Sequence, residues 1–256
     1  MARGFGVTWT NPDFRLIEVA TGIVADNYSL NPNTDYRIEV TVHNQSTMAA
    51  IGTKAKFEIK DFGIDGGTFA TPPEVIVDIP AIGSNVCSTI WQTPANIGHI
   101  CLVVTLEHPD DANPMNNEGQ HNTVIVASSN SQKSVEFVIH NASKAPRQFE
   151  MSYDMYQLPA TSMKPKGNKE RASLSYLRRL QEQNKRIPMQ LEQTGFSIKN
   201  AQGESPGARI TVEAGSTMKF TLQPVDTANV QGKRLNVVAT QPETGKVISG
   251  LTVIYK

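Results

Sequence analysis

The fold is decided by an alternating stretch, Asp35-Tyr-Arg-Ile-Glu-Val-Thr-Val-His-Asn44. Its apolar side chains all fall at even positions, namely Tyr36, Ile38, Val40 and Val42. Because successive side chains of a strand point to opposite faces, this stretch predicts an antiparallel strand with one face on a core and one in water. The pattern recurs along the chain, so the sequence predicts an all-β protein.

The length of 256 residues is enough for two domains, each with its own core. Short alternating segments separated by turn signals predict an immunoglobulin-like β-sandwich over residues 1–127. The small polar run Ser128-Ser-Asn-Ser-Gln132 predicts a linker over 128–133. A second immunoglobulin-like sandwich is predicted over 134–256.

The second half is interrupted between about residues 155 and 195, where the alternation stops. Residues 164–186 carry eight Lys and Arg against two Glu. Leu174, Leu177 and Leu180 recur at a spacing of three, which predicts a single helix over about 169–185. This helical insertion is either a lid that packs its leucines onto the sandwich or a projecting basic element that docks on an acidic surface.

The net charge of zero hides two halves of opposite sign. Residues 1–128 hold 6 Lys and Arg against 14 Asp and Glu, a net charge of −8, whereas residues 129–256 hold 18 against 10, a net charge of +8. One interpretation is drift in composition on solvated strand faces. The other is attraction between the acidic half of one copy and the basic half of the next, in a head-to-tail contact that closes into rings or continues as a filament.

The assembly interpretation needs a basic face and an acidic face. The basic face is expected on the insertion, at Arg171, Arg178, Arg179, Lys185 and Arg186. The acidic face is expected in the first domain, at Glu107, Asp110, Asp111 and Asp61.

The first domain also contains segments that are shared with a known family. These segments are Pro12-Asp-Phe14, the strand and turn Tyr36–Ser46, Ile82-Gly-Ser84, Trp91-Gln-Thr-Pro94 and the terminal run Gly98–Asn117. With these segments, residues 10–127 resemble the bacterial cell-adhesion-related immunoglobulin-like domains known as CARDB. The resemblance implies a non-catalytic interaction or spacer module, usually found in larger extracellular proteins.

The expected compartment differs between the resemblance and the N-terminus. Residues 1–9 contain no apolar stretch of the kind that a secretory signal needs, so the sequence predicts a cytoplasmic protein, export by another route, or a trimmed chain. No apolar run approaches the ~20 residues that span a bilayer, so no membrane span is expected.

No catalytic motif is present: the sequence has no nucleophile elbow, phosphate loop, zincin motif or dinucleotide fingerprint. An enzyme is therefore not expected. Nucleic-acid binding is also not expected, because the basic segment has little aromatic support beyond Tyr176.

Two metal hypotheses were weighed against structural ones. His99, Cys101, His108 and His121 lie close in sequence, but no second closely spaced pair completes a zinc set, so structural or solvated histidines are expected. The oxygen-rich run with Asp110, Asp111, Asn113, Asn116 and Asn117 could bind calcium, although its spacing is not that of an EF-hand. The alternative is a turn held by Asx hydrogen bonds, and no cofactor is expected.

Cys87 and Cys101 flank the turn at 93–98, so a cross-strand disulfide and two buried thiols are both open, with the thiols favoured. Asn27, Asn44 and Asn141 each begin a glycosylation triplet, which is common by chance. The sequence as a whole favours a self-assembling structural protein, such as a filament, shell, sheath or appendage subunit. The alternative is an adhesion or ligand-binding module for a glycan or a surface protein.

Overall fold

The computed structural model describes residues 11, 13–25, 30–64, 66–95, 99–111, 117–124, 134–157, 187–225, 233–243 and 247–254. The described residues fold almost entirely as antiparallel strands, which confirms the all-β class. They divide into two compact units, one ending before and one beginning at residue 133. Within the described ranges no helix has the length and apolar character needed to cross a bilayer.

The described residues of the first unit form nine strands. They are β1 (Phe14–Glu18), β2 (Asp35–Asn44), β3 (Ala50–Asp61), β4 (Gly63–Ile64), β5 (Thr68–Ala70), β6 (Val75–Ile79), β7 (Gly83–Gln92), β8 (His99–Glu107) and β9 (Glu118–Val124). One sheet has the order β1–β2–β7, and the other has the order β3–β8–β9 with β5 and β6 both pairing with β3.

The core of the first unit lies between these two sheets. The alternation of β2 is observed as expected, since Tyr36, Ile38, Val40 and Val42 are all buried against it. Phe57 and Ile59 of β3 and Leu102 of β8 belong to the same cluster. Burial of each such side chain contributes about 1.5–3 kcal/mol, which fixes the register because a slip of one residue would expose the whole apolar face.

The described residues of the second unit form eight strands and one short 3₁₀ turn at Leu191–Gln193. The strands are β10 (Val135–His140), β11 (Arg147–Gln157), β12 (Ile187–Met189), β13 (Phe196–Asn200), β14 (Arg209–Val212), β15 (Thr217–Pro224), β16 (Lys233–Thr240) and β17 (Val247–Ile254). One sheet contains β13, β15 and β10 in this order, and the other has the order β11–β16–β17 with β12 and β14 both pairing with β11.

The limits expected for the insertion, about 155 and 195, are corrected by the strand pairing. β11 continues to Gln157, and Met155 lies opposite Ile187 at the start of β12. The backbone hydrogen bonds of a ladder do not require alternating side chains, so the loss of alternation did not mark the end of the sheet. The helix expected over about 169–185 lies outside the described residues.

The two units share one pairing scheme. In the first unit β2 pairs with β7, and in the second unit β10 pairs with β15 in the same way. The order β3–β8–β9 of the first unit likewise corresponds to the order β11–β16–β17 of the second. The corresponding strands β2 and β10 also end in similar turns, Val42-His-Asn-Gln-Ser46 and Ile139-His-Asn-Ala-Ser143. The units differ at one edge: β15 also pairs with β13, whereas within the described residues β7 pairs only with β2.

Candidate functional site

Glu107, one of the four acidic candidates, is already paired within its own unit. It ends β8 opposite Lys54, and its carboxylate lies 2.6 Å from Nζ of Lys56 on β3. The side-chain hydrogen bond with Glu107 raises the pKa of Lys56, so the lysine keeps its charge at neutral pH. Glu107 is therefore a neutralised acid and contributes little to an attraction for an outside cation.

The same neutralisation extends over the described basic side chains of the first unit. Lys54 lies 3.9 Å from Glu74, Lys60 lies 3.5 Å from Glu58, and Arg15 and Arg37 share Glu39 at 3.6 and 3.0 Å. With the pair at Glu107, all five described Lys and Arg of this unit have an acidic partner. The negative charge that remains belongs to other carboxylates, among them Asp61 and Asp110, both exposed.

Asp110 and Asp111 lie in a tight turn that follows β8. The Asp111 N–H donates to the carbonyl of His108 at 3.2 Å, and the Asp110 N–H donates to Nδ1 of His108 at 3.2 Å. Because Nδ1 accepts a hydrogen bond, the proton of the neutral ring is on Nε2, which donates to the carbonyl of Ile51 at 3.1 Å. His108 thus ties this acidic turn to β3.

Asp61 lies at the other end of the same sheet. It pairs with Ile100 at the start of β8, whereas Glu107 ends that strand. Seven residues of strand separate the two positions, about 23 Å at the rise of a β-strand. The structure therefore brings Glu107, Asp110 and Asp111 together and leaves Asp61 apart from them.

The five basic candidates, Arg171, Arg178, Arg179, Lys185 and Arg186, lie outside the described residues. Among the side chains that the structure describes, the second unit has five Lys and Arg, at 144, 147, 199, 209 and 219, against seven Asp and Glu. The sheets of this unit are therefore not basic. The positive excess comes from the remaining positions, and residues 164–186 alone contribute a net charge of +6.

The four residues of the metal hypothesis do not converge. His99 and Cys101 share the outer face of β8, but His121 faces the core, where its ring stacks on Phe14 at 5.5 Å. His108 holds the acidic turn. In the described part of the chain no group of three or more His, Cys, Asp or Glu side chains could hold a metal ion. Asn113 and Asn116 of the calcium hypothesis lie outside the described residues.

The outer face of β8 and β9 contains a set of buried polar atoms that the sequence did not indicate. Cys101 lies opposite Asn122 in the ladder, with His99 and Gln120 on the same face. Nε2 of His99, Oε1 of Gln120 and both amide atoms of Asn122 are buried without a hydrogen-bond partner. Burial lowers the pKa of His99 to about 4, so the ring is neutral at physiological pH.

The two cysteines are not joined by a disulfide, and both are buried. Cys87 on β7 belongs to the core cluster, whereas Cys101 lies on the outer face of the other sheet. Burial raises the pKa of Cys87 to about 11 and that of Cys101 to about 12. A disulfide between them is incompatible with this arrangement, since Cys87 faces the core of the first unit whereas Cys101 faces away from it.

Two of the three glycosylation triplets have a structural role. Asn141 is fully buried, and its Nδ2 donates to the carbonyls of Ala145 and Val212 at 2.8 and 2.9 Å. Its Oδ1 accepts from the N–H of Ser143 at 3.0 Å. Asn44 repeats the arrangement with the carbonyl of Met48 and the N–H of Ser46. The repeated His-Asn-x-Ser was the signal that could have shown this, while Asn27 lies outside the described residues.

Comparison with known proteins gives similar structures and no family. No family model matches the sequence, and no curated protein matches it. Similar solved structures include a CARDB domain from Pyrococcus furiosus in complex with di-metal ions, at 18% identity over 49% of this chain and 98% of that chain, with a TM-score of 0.33.

Two further similar structures come from larger proteins. The C-terminal domain of wzt matches at 13% identity over 46% of this chain and 72% of that chain, with a TM-score of 0.33. A cycloisomaltooligosaccharide glucanotransferase of Paenibacillus sp. matches at 18% identity over 45% of this chain, with a TM-score of 0.31. The match spans only 14% of that enzyme. These TM-scores are low, and the fold assignment rests on the strand pairing described above.

Proposed function

We propose that this chain is a non-catalytic interaction protein that assembles with further copies of itself. In this assembly the acidic first unit of one copy meets the basic segment 164–186 of the next. Such a head-to-tail contact suits a subunit of a filament, shell, sheath or appendage, because it leaves one unpaired surface at each end.

The observation that supports the proposal is the uneven neutralisation of charge. The described Lys and Arg side chains of the first unit each have an acidic partner within that unit, and its carboxylates outnumber them. The positive excess of the second half is concentrated in one segment, with eight Lys and Arg against two Glu. A net negative charge on one unit and a net positive charge on one segment of the other half favour a contact between copies.

The strength of such a contact is limited. Exposed ion pairs contribute about 0.2–1 kcal/mol each, so several are needed for a stable complex. The Asp110–Asp111 turn is the best-placed acceptor for the basic segment, because Glu107 is neutralised by Lys56 and Asp61 lies about 23 Å away by strand rise. We expect a weak contact between two copies that becomes stable when it is repeated along an assembly.

Light scattering coupled to size exclusion tests the proposal at about 50 mM and about 500 mM NaCl, where the screening length differs about threefold. We expect a species larger than the 28.0 kDa monomer at low salt and a smaller one at high salt. A monomer at both salts would contradict self-assembly by charge. It would favour the alternative, a module for a glycan or a surface protein, and ligand screens would follow.

A pair of double variants locates the contact. Arg178→Glu with Arg179→Glu should abolish the large species, and Asp110→Arg with Asp111→Arg in the same chain should restore it. The matched control is Lys199→Glu with Arg209→Glu, which makes the same change in net charge at exposed positions of the second unit. If the control abolishes the large species equally, total charge and not this contact is responsible.

A further inference from the structure

Among the described residues, one edge of strand β7 has no strand paired with it. We propose that β7 pairs antiparallel with β7 of a second copy of this chain, across a two-fold axis that passes beside Ser88. The contact uses an uncharged strand and does not depend on the charged assembly proposed above. Salt therefore distinguishes the two contacts.

Within the part of the chain that the structure describes, this edge lacks the features that normally prevent strand pairing. Proteins protect exposed edges with charged residues, prolines, very short strands or a covering element. β7 is ten residues long, and its sequence, Gly-Ser-Asn-Val-Cys-Ser-Thr-Ile-Trp-Gln, contains no charged residue and no proline. In the second unit the corresponding strand β15 contains Lys219 and ends at Pro224, and that edge is occupied by β13. In the second unit, the strand that corresponds to β7 is therefore paired with an additional strand at this edge.

The side chains of β7 are self-complementary. Its outward face reads Ser84, Val86, Ser88, Ile90 and Gln92, which is symmetric in polarity about Ser88. When Ser88 faces Ser88 of the other copy, each Val86 faces an Ile90. Val86 is 50% exposed and Ile90 is 57% exposed, so this register would remove four exposed apolar side chains from water. This symmetry is what favours a second copy of the same chain as the occupant.

The flanking charges permit this register. Arg37 lies beside Ile90 and Glu39 beside Ser88 on the neighbouring strand β2. These two side chains form an ion pair with Nε of Arg37 at 3.0 Å from Glu39. Two-fold pairing of β7 therefore brings no unpaired like charges together.

The backbone of β7 limits the length of the contact. The Val86 N–H donates to Oδ1 of Asn85 at 2.8 Å, and Nδ2 of Asn85 donates to the carbonyl of Asp78 at 2.8 Å. The first residues of β7, up to the Val86 N–H, are thus engaged locally, and the two-fold pairing is centred on Ser88 and extends only to Val86 and Ile90 on either side. A contact of this length is smaller than the ~1,200–2,000 Å² of a standard stable interface, so we expect a dimer in the micromolar range.

Disulfide trapping in the full chain tests the register. Paired residues that exchange backbone hydrogen bonds have Cα atoms ~5.5 Å apart, a distance that a disulfide spans. Ser88→Cys should form a covalent dimer under mild oxidation at about 500 mM NaCl, where charged contacts are screened. Ser84→Cys, on the same face of the same strand, is the control, because the two copies of residue 84 would lie about 27 Å apart by strand rise.

A dimer yield for Ser88→Cys no higher than for Ser84→Cys would overturn the proposal. The wild-type chain should not cross-link, because Cys87 and Cys101 are buried.

Sedimentation velocity gives an independent readout. Ile90→Lys adds like charges beside the axis and should weaken dimerisation at least about tenfold. Ile76→Lys is the matched control, since Ile76 is 62% exposed but lies on β6 of the other sheet. Equal weakening by both variants, or none by Ile90→Lys, would overturn the proposal. Circular dichroism verifies that each variant is folded before it is compared.

Discussion

At the residue scale, the buried imidazole of His99 makes the stability of the first unit depend on pH. Its pKa is about 4 in the folded chain, because burial disfavours the charged form, and 6.5 in an ordinary environment. The unfolded chain therefore binds a proton first as pH falls. The stability of the first unit is therefore highest above pH ~6.5 and falls progressively between pH ~6.5 and pH ~4, and the loss reaches about 2 kcal/mol at pH ~5.

This first prediction is checked by urea unfolding at pH 8 and pH 5. His99→Gln keeps a polar side chain of similar size but cannot titrate in this range. We expect the wild type to lose about 2 kcal/mol more than His99→Gln between the two pH values. Equal losses in the two proteins would show that His99 is already charged or accessible in the folded state.

A second prediction at this scale concerns Asn141, whose side-chain nitrogen and oxygen both form hydrogen bonds. Asn141→Ala removes the hydrogen bonds of its buried amide to the carbonyls of Ala145 and Val212 and to the Ser143 N–H, so we expect a loss of about 2–4 kcal/mol in the free energy of unfolding. Asn122→Ala is the matched control. It deletes the same atoms from a buried site at which the amide has no hydrogen-bond partner, so it should cost about 1–2 kcal/mol less.

Urea unfolding of both variants at pH 7.5 makes this comparison. The prediction is wrong if Asn141→Ala and Asn122→Ala lower the free energy of unfolding by the same amount. The same bonds imply that Asn141 cannot accept a glycan in the folded state, since its Nδ2 is buried and engaged.

At the element scale, β7 and β8 hold the two thiols in different environments, and neither is reactive. With a pKa of about 11 for Cys87 and about 12 for Cys101, the thiolate that reacts is rare at pH 8. We expect Ellman's reagent to label the native chain at least about 100-fold more slowly than a free thiol, and both residues to react at once in urea.

The control for this third prediction is a single exposed cysteine, Ser84→Cys, which should react rapidly in the native chain. Rapid reaction of one thiol per wild-type chain would contradict this prediction, because it would mean that β7 or β8 opens readily and exposes its cysteine. Two titrated thiols in urea without a reductant would verify that no disulfide is present.

The loop that follows β3 supplies a fourth prediction. A Cβ on Gly66 would lie 2.2 Å from the carbonyl oxygen of Asp61, a backbone atom that cannot move aside. Gly66→Ala should therefore displace the loop and cost about 1–3 kcal/mol. Gly67→Ala is the control, because its Cβ would meet the Asp61 carboxylate at an ordinary 3.7 Å. Thermal unfolding that affects both variants equally would contradict the close approach.

At the scale of the whole molecule, the position of the basic segment allows it to be removed. Met155 of β11 lies opposite Ile187 of β12, so the chain leaves and re-enters the sheet at nearby points. Replacing residues 158–186 with a short Asn-Gly turn should preserve the fold and change the net charge by −6.

This fifth prediction has two readouts. We expect the midpoint of thermal unfolding to change by no more than a few degrees, about 1 kcal/mol in stability. We also expect salt-sensitive association to disappear, while pairing through β7 at high salt remains. Retention of the large low-salt species would show that the segment does not make the charged contact.

Particular residues show which features of the structure could be predicted from the sequence. The alternation of Tyr36, Ile38, Val40 and Val42 is local, and hydrophobic burial acts on it wherever the strand lies, so the all-β class followed from the sequence alone. The surplus charge of residues 164–186 is likewise a property of the composition. The limits of the insertion were not predictable, because a ladder depends on a backbone partner and not on side-chain alternation.

The sequence by itself therefore determined the class of the fold and the sign of charge in each half. Only the tertiary structure decided which charges and edges are still available for a partner. Lys56 and Glu107 are 51 residues apart and meet only through the register of β3 with β8. The same register places Asp61 and Glu107 at opposite ends of β8. Non-local strand pairing also leaves β7 at the edge of its sheet among the described residues. Neutralisation and exposure depend on distance in space, which spacing along the chain does not specify.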